Sequence, residues 1–335
     1  MDGSTRLRGK KVVVVGGGTG TYTTLVGLRN YPDLELVAVV SMADDGGSNK
    51  VLRDEFGMLP TSGVRQCMVA LSQNEGLLRK LFSYRFYQGV GIRGMTFGNL
   101  FMAAATDIVG SSREAILATS KVLGVRGRIL PVSYEQVALL AQYEDGREVL
   151  GEHLIDQAGQ IVGDKRVVSL RTIPRTQIDD EAKAALVAAD LIVLGPGDLY
   201  TNTIANLVID GVSEAVVKSR AKVVVVINLM SKRGESPNYR ASDFLTDIGK
   251  YLPLSRIDYV VVNTDQKIAK AIIKKYKEEG GSLVMDDLVS WPYGKVVRAK
   301  LVAKGIVKRE RGDAIDRSMV RHDPDKLAKV LVGLL

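Results

Sequence analysis

The chain has 335 residues, 46% of them hydrophobic and 25% charged, with a formal net charge of +8 at pH 7. Those values fit a soluble globular protein of one large or two ordinary domains. A single cysteine, Cys67, excludes an internal disulfide, and no apolar run approaches the roughly 18 residues that span a bilayer. The valines near the N-terminus are too short a core for a signal peptide, so a cytoplasmic protein is expected.

The first predicted element is a strand at Val12-Val13-Val14-Val15, whose continuous β-branched run reads as buried on both faces. It runs into Gly16-Gly17-Gly18-Thr19-Gly20, followed by a short helix over residues 21–30. Strand, glycine loop and helix start together make an anion site, because unpaired N–H groups and the helix dipole both favour phosphate. The last glycine of a G-x-G-x-x-G fingerprint would fall on Thr21, and no Lys-Ser or Lys-Thr pair follows for a P-loop. A phosphate or nucleotide is therefore expected, of unspecified kind, against the plainer alternative of a tight turn.

A second buried strand, Leu34 to Val40, leads to Asp44-Asp45-Gly46-Gly47. An acid at the tip of strand two can meet a ribose hydroxyl, and paired carboxylates can hold Mg²⁺ or act as a base; a helix cap with turn chemistry is the alternative. Arg53 and Arg65 could reach phosphates or form surface pairs. Cys67 falls inside a helix with no histidine nearby, which argues against a nucleophile. Residues 83–94 read as loop, and Met95 to Phe101 opens a helix on which Asn99 either contacts a ligand or caps.

From about residue 136 the pattern changes. Asp145-Gly146 signals a hairpin, with strands expected over residues 147–154 and 166–173, and His153 is expected on a strand surface. The α/β rhythm then resumes in three strands. One ends at Gly195-Pro196-Gly197 with a hydroxyl-rich helix start at Tyr200 to Thr203, one at Asn228 and one at Asn263. Ligands of open parallel sheets bind outside the carboxyl ends of the strands. Five predicted strands carry glycines, acids, amides or hydroxyls there, which points to a nucleotide or phosphosugar crevice. Gly195, Pro196 and Gly197 repeat the logic of the first loop, while Asn228 and Asn263 bind a base or sugar or else fix loops.

Residues 295–321 hold nine Lys or Arg against three acids. Without interleaved aromatics or a known motif, they read as a solvated basic face or an anion funnel beside a phosphate site, and no nucleic acid is expected. No metal-ligand motif or hydrolase triad is apparent.

From Val12 onward the chain resembles the YvcK-like branch of the CofD-like superfamily, the gluconeogenesis factors. The resemblance rests on Gly16 to Gly20, Ala43-Asp44-Asp45-Gly46-Gly47-Ser48 with Leu52-Arg53-Asp54-Glu55, Phe97-Gly98-Asn99-Leu100, and Val125 to Val132. It continues through Gly195 to Thr201, Asn228-Leu229-Met230 and Arg321-His322-Asp323. It implies a Rossmann-like α/β fold with a mostly parallel sheet flanked by helices and an antiparallel β insertion around residues 136–175. The chain would form one domain: an N-terminal nucleotide-binding half (1–135), the insertion, and a C-terminal α/β half (176–335).

The resemblance also implies binding of UDP-N-acetylglucosamine or a related nucleotide and a role linking carbon metabolism to cell-wall synthesis and cell shape, with no established reaction. Cell-wall or central-metabolism regulatory proteins would be partners, with no membrane contact, and a homo-oligomer is expected. Binding residues implied by the family match Tyr276 and Arg321, a ring to stack on a base and a guanidinium to fork a diphosphate. Three positions depart from the family pattern: Thr21-Tyr22-Thr23-Thr24 after the glycine loop, Gly234-Glu235-Ser236-Pro237-Asn238-Tyr239, and Pro324 in place of a phosphorylated Thr. The sister branch, the 2-phospho-lactate transferases, is the alternative. There Asp44 or Asp45 would hold Mg²⁺ across a guanosine diphosphate donor.

Overall fold

The computed structural model describes residues 7–74, 76–265, 267–304 and 319–335. The strands are β1 (Lys10–Gly16), β2 (Leu34–Val40), β3 (Arg128–Pro131), β4 (Ala138–Tyr143), β5 (Glu148–Leu150), β6 (Val167–Ile173), β7 (Leu191–Leu194), β8 (Lys222–Val226), β9 (Tyr259–Asn263) and β10 (Lys295–Ala299). Seven of them, all parallel, form the main sheet in the order β10-β9-β8-β7-β1-β2-β3.

The valines of β1 explain why this strand is central. Side chains alternate across a pleated strand. Val12 and Val14 therefore enter the core on one face, with the helices Gly18–Leu28, Ser62–Leu71 and Pro324–Val332. Val13 and Val15 enter the core on the other, with the helices Asp180–Val187, Val212–Lys218 and Ala241–Ile248. All four are fully buried.

The predicted insertion is a three-stranded antiparallel sheet, β5-β4-β6, with the β4–β5 hairpin turning at Asp145-Gly146. It has no core of its own: Leu139, Ala141 and Tyr143 pack into the same cluster as Val13 and Val15. The second hairpin strand is shorter than expected. It stops at Leu150, and Glu152–Asp156 turns into a short helix, which moves His153 off the strand.

Sheet order fixes where a ligand can sit. The helix after β1 packs on one face through Leu25 and Leu28, whereas the turn after β7 packs on the other through Leu199, Tyr200 and Ile204. The two connections diverge and leave a crevice at the carboxyl ends of β1 and β7, the switch point of a doubly wound sheet. β3 and β10, the sheet edges, were not among the predicted strands.

Candidate functional site

A cleft of about 790 Å³ opens at that switch point, within the range of small-ligand sites. Its floor is made of the two glycine loops. Gly17, at the N-cap of the helix Gly18–Leu28, has no side chain to occupy the first-turn N–H groups. The loops touch through backbone: a Cβ on Gly20 would lie 2.0 Å from the Pro196 carbonyl oxygen. Asn228 clamps the second loop, accepting from the Gly197 N–H (3.3 Å) and donating to its carbonyl (2.7 Å). Asn206 donates to the Gly16 carbonyl (3.2 Å) and so ties the first loop to the segment after the second.

Of the sequence-predicted residues, Gly17, Gly18, Thr19, Gly20, Asp44, Pro196, Gly197, Asn228, Tyr276 and Arg321 line this one cleft. Gly16 and Gly195 lie behind it and shape the turns, Gly195 with a φ of +74°. The other predicted residues serve the fold instead. Asn99 is fully buried, accepts from Arg65 Nε (2.9 Å) and donates to Asn49 (3.1 Å); the cleft sees Arg65, not Asn99. Tyr200 is fully buried, and its hydroxyl donates to the Val167 carbonyl (3.0 Å). Asn263 uses its side-chain oxygen on the N–H groups of Asp265 (3.0 Å) and Leu301 (2.9 Å). Arg53 forms a surface pair with Asp54. Cys67 is buried away from the cleft, and burial pushes its thiol up to about 12.

The hydroxyl-rich turn after Gly197 is not an anion site. The Glu235 carboxylate takes the N–H groups of Tyr200 (3.0 Å) and Thr201 (3.2 Å), so a protein acid already sits where a phosphate would bind. Glu235 belongs to a cluster that the sequence did not reveal. Lys232 Nζ lies 2.9 Å from Asp198 and 3.1 Å from Glu235 and also bonds Asp156. Burial alone would lower the Lys232 pKa, but the three carboxylates hold it well above its usual value. Burial raises the Glu235 carboxyl to about 7 against the pull of Lys232. Burial likewise raises Asp44 and Asp156, and Glu152 well above the usual range, with neighbouring acids adding to it.

One wall of the cleft is therefore acidic: Asp44, Glu152, Asp156 and Asp198 all line it. The same lining carries Arg65, Arg85, Arg233, Lys275 and Arg321, along with Glu279. Much of the predicted basic segment, residues 305–318, lies outside the described residues, but its end delivers Arg321 to the cleft. Tyr276 accepts the Val320 N–H (3.3 Å), which fastens the Arg321 segment to the helix Lys270–Glu278.

The residues do not fit Mg²⁺ held jointly by Asp44 and Asp45. Asp44 faces the cleft and accepts from the Gly46 N–H (2.9 Å), whereas Asp45 turns away to accept the His153 N–H (2.8 Å). His153, expected on a strand surface, is an exposed residue of the cleft wall. Oxygens of Asp156, Asp198 and Glu235 lie within 4.8 Å of one another, a spacing able to hold a cation, and the Lys232 ammonium fills that role.

His322 follows Arg321 in the cleft lining. The residue is 5% exposed, and burial lowers its pKa to about 4. The unfolded chain therefore takes up a proton between pH 6.5 and 4 that the folded protein refuses, so this contribution to stability is present above 6.5 and lost as pH falls. Urea unfolding is expected to show the margin of wild type over His322→Gln shrinking by about 3 kcal/mol across that window. A margin that stays constant would contradict a buried neutral imidazole.

Fold and cleft define the class: a doubly wound α/β protein with a glycine-floored crevice lined by both acidic and basic side chains. The sequence profile described as "CofD: 2-phospho-L-lactate transferase CofD" matches residues 12–302. The chain is 40% identical over 322 residues to a Thermotoga maritima relative, covering 96% of this chain and 98% of that one. It is 37% identical to the gluconeogenesis factor of Bacillus subtilis over 328 residues, covering 97% and 98% respectively. A crystal structure of a Bacillus halodurans protein superposes with a TM-score of 0.86 at 35% identity, covering 97% of this chain and 99% of that one. This chain belongs to the CofD-like family, among the gluconeogenesis factors. No helix among the described residues is long and apolar enough to cross a membrane.

Proposed function

We propose that the protein is a cytoplasmic receptor for a nucleoside diphosphate sugar, UDP-N-acetylglucosamine, through which carbon metabolism is linked to cell-wall synthesis and cell shape. The observation that carries this reading is the meeting of both glycine loops, Tyr276 and Arg321 in one cleft at the switch point. Backbone N–H groups and a guanidinium suit a diphosphate, and a half-buried tyrosine ring beside them suits a base. The acidic wall suits sugar hydroxyls, which donate to carboxylates. The test is titration calorimetry with UDP-N-acetylglucosamine on wild type and Arg321→Ala. Losing a charge-assisted contact of about 1.5–3 kcal/mol is expected to weaken binding by roughly 10- to 100-fold. Equal affinity in the two proteins would remove Arg321 from the site.

A second reading is favoured by the family profile itself, whose description is a phospholactate transferase. A transferase of that kind would take a guanosine diphosphate donor with Mg²⁺. Asp44, which lines the cleft, would be the Mg²⁺ ligand in that reading, since Asp45 accepts the His153 N–H. GDP binding that requires Mg²⁺ and is indifferent to Arg321→Ala is the outcome that would favour the transferase.

A further inference from the structure

After the second glycine loop the chain makes a wide turn, Leu199–Ile204. The Thr203 N–H reaches back five residues to the Asp198 carbonyl (3.1 Å), a π-helical geometry that is frequent at functional sites. The turn sends its side chains in different directions. Thr201 turns inward to Glu235 (3.3 Å), whereas the half-buried Asn202 lines the cleft. The main chain of Asn202 is fully engaged: its N–H donates to the Asp198 carbonyl (3.1 Å) and its carbonyl accepts from Asn206 (2.7 Å). Its side-chain amide makes no hydrogen bond to any described residue.

The first glycine loop is shaped around that amide. Gly17 has an extended backbone (φ −174°) that any residue adopts, so its conformation does not demand glycine. Space does. A Cβ on Gly17 would lie 2.6 Å from the Asn202 side-chain oxygen, and the next atoms it would approach, at 3.6 and 4.0 Å, are also Asn202's. A Cβ on Gly18 would lie 3.2 Å from the same oxygen, and one on Gly197, in the other loop, 3.3 Å from the Asn202 Cβ. The amide therefore sits between the two loops that floor the cleft. Backbone N–H groups at a helix start select an anion, and an amide beside them adds donors for the same oxygens. Resting on the nucleotide-sugar reading above, we infer that Asn202 Nδ2 donates to a phosphate oxygen of the bound ligand, and that Gly17 is glycine to leave this amide its room.

Two substitutions separate this role from a structural one. Asn202→Ala removes the donor, and Asn202→Asp keeps the size but sets a negative charge against the phosphates. Calorimetry at pH 7.5 in EDTA with UDP-N-acetylglucosamine is expected to give about tenfold weaker binding for Asn202→Ala and about a hundredfold or more for Asn202→Asp, both with a native circular-dichroism spectrum. A merely structural asparagine would move the melting temperature and leave affinity alone. An amide serving a sugar hydroxyl would give the reverse order, because a carboxylate accepts from a hydroxyl. The loop has its own readout. Gly17→Ala is expected to lower the melting temperature of wild type, and to lower that of Asn202→Ala by roughly half as much or less, since the colliding atoms are gone.

Wild-type affinity in Asn202→Ala overturns the inference while the nucleotide-sugar reading stands, and so does Asn202→Asp binding as tightly as Asn202→Ala. An equal loss from Gly17→Ala in the two backgrounds overturns the explanation of Gly17. A wild type that binds no UDP-N-acetylglucosamine overturns that reading and this inference with it. Should Asn202→Asp fail to fold, inorganic pyrophosphate, which carries neither sugar nor base, becomes the probe. Weaker thermal protection of Asn202→Ala than of wild type then supports the phosphate contact, and equal protection overturns it.

Discussion

Replacing Gly20 with alanine is expected to destabilise the protein by about 2 kcal/mol and to weaken nucleotide-sugar binding by about tenfold or more. The added methyl would lie 2.0 Å from the Pro196 carbonyl oxygen and 2.5 Å from its carbon. Both are backbone atoms, so neither can rotate away. One loop must move by about an ångström, and close-packed interiors resist this. The N–H groups that floor the cleft belong to the same backbone, so binding suffers along with stability. Gly76→Ala is the control, since a methyl there meets nothing within 4 Å. Thermal unfolding and calorimetry on the pair check the expectation; a Gly20→Ala protein that melts and binds like Gly76→Ala would contradict the loop-on-loop contact.

Glu235→Ala has the larger expected cost in stability, about 3–5 kcal/mol. The side chain is fully buried and accepts two backbone N–H groups while facing the Lys232 ammonium at 3.1 Å. Truncation strands both N–H groups in a dry interior. Glu235→Gln keeps an oxygen for them and is expected to recover most of the loss. The pair also differs in pH response. Burial raises the Glu235 carboxyl to about 7 from an ordinary value of 4.5, so the folded protein keeps a proton that the unfolded chain releases between those values. That contribution is complete below pH 4.5 and is lost as pH rises through 7. Denaturant unfolding should therefore show wild type losing ground to Glu235→Gln over pH 4.5 to 7, and gaining ground there would contradict the raised carboxyl.

The fold was largely legible because its signals are local. Val12 to Val15 announce a doubly buried strand, and Gly16 to Gly20 and Gly195 to Gly197 announce tight turns at strand ends. Asp145-Gly146 announces the hairpin. The edge strands β3 and β10 escaped notice because neither is a continuous apolar run: Arg128-Ile129-Leu130-Pro131 and Lys295-Val296-Val297-Arg298-Ala299 are broken by charged residues or a proline.

The site was legible where backbone makes it and illegible where the tertiary fold makes it. Asn99 and Tyr200 follow glycine-rich turns much as ligand contacts do, yet both are buried in bonds to the protein itself. Lys232 and Glu235 lie beyond the end of β8, Asp198 beyond β7, and Asp156 on the short helix between β5 and β6. They meet because β7 pairs with β8 and the small sheet packs on the same face. Strand order decides that meeting, and no local pattern carries it. Tyr276 and Arg321 were reached through family resemblance alone, since their own surroundings in the sequence are those of surface residues.

The most direct measurement is a crystal structure of the protein with UDP-N-acetylglucosamine. The diphosphate is expected on the N–H groups of Gly18 to Gly20 within reach of Arg321, the uridine beside Tyr276, and the sugar toward Asp44 and Asp156. Ligand bound elsewhere on the molecule, with both glycine loops bare, would contradict the account.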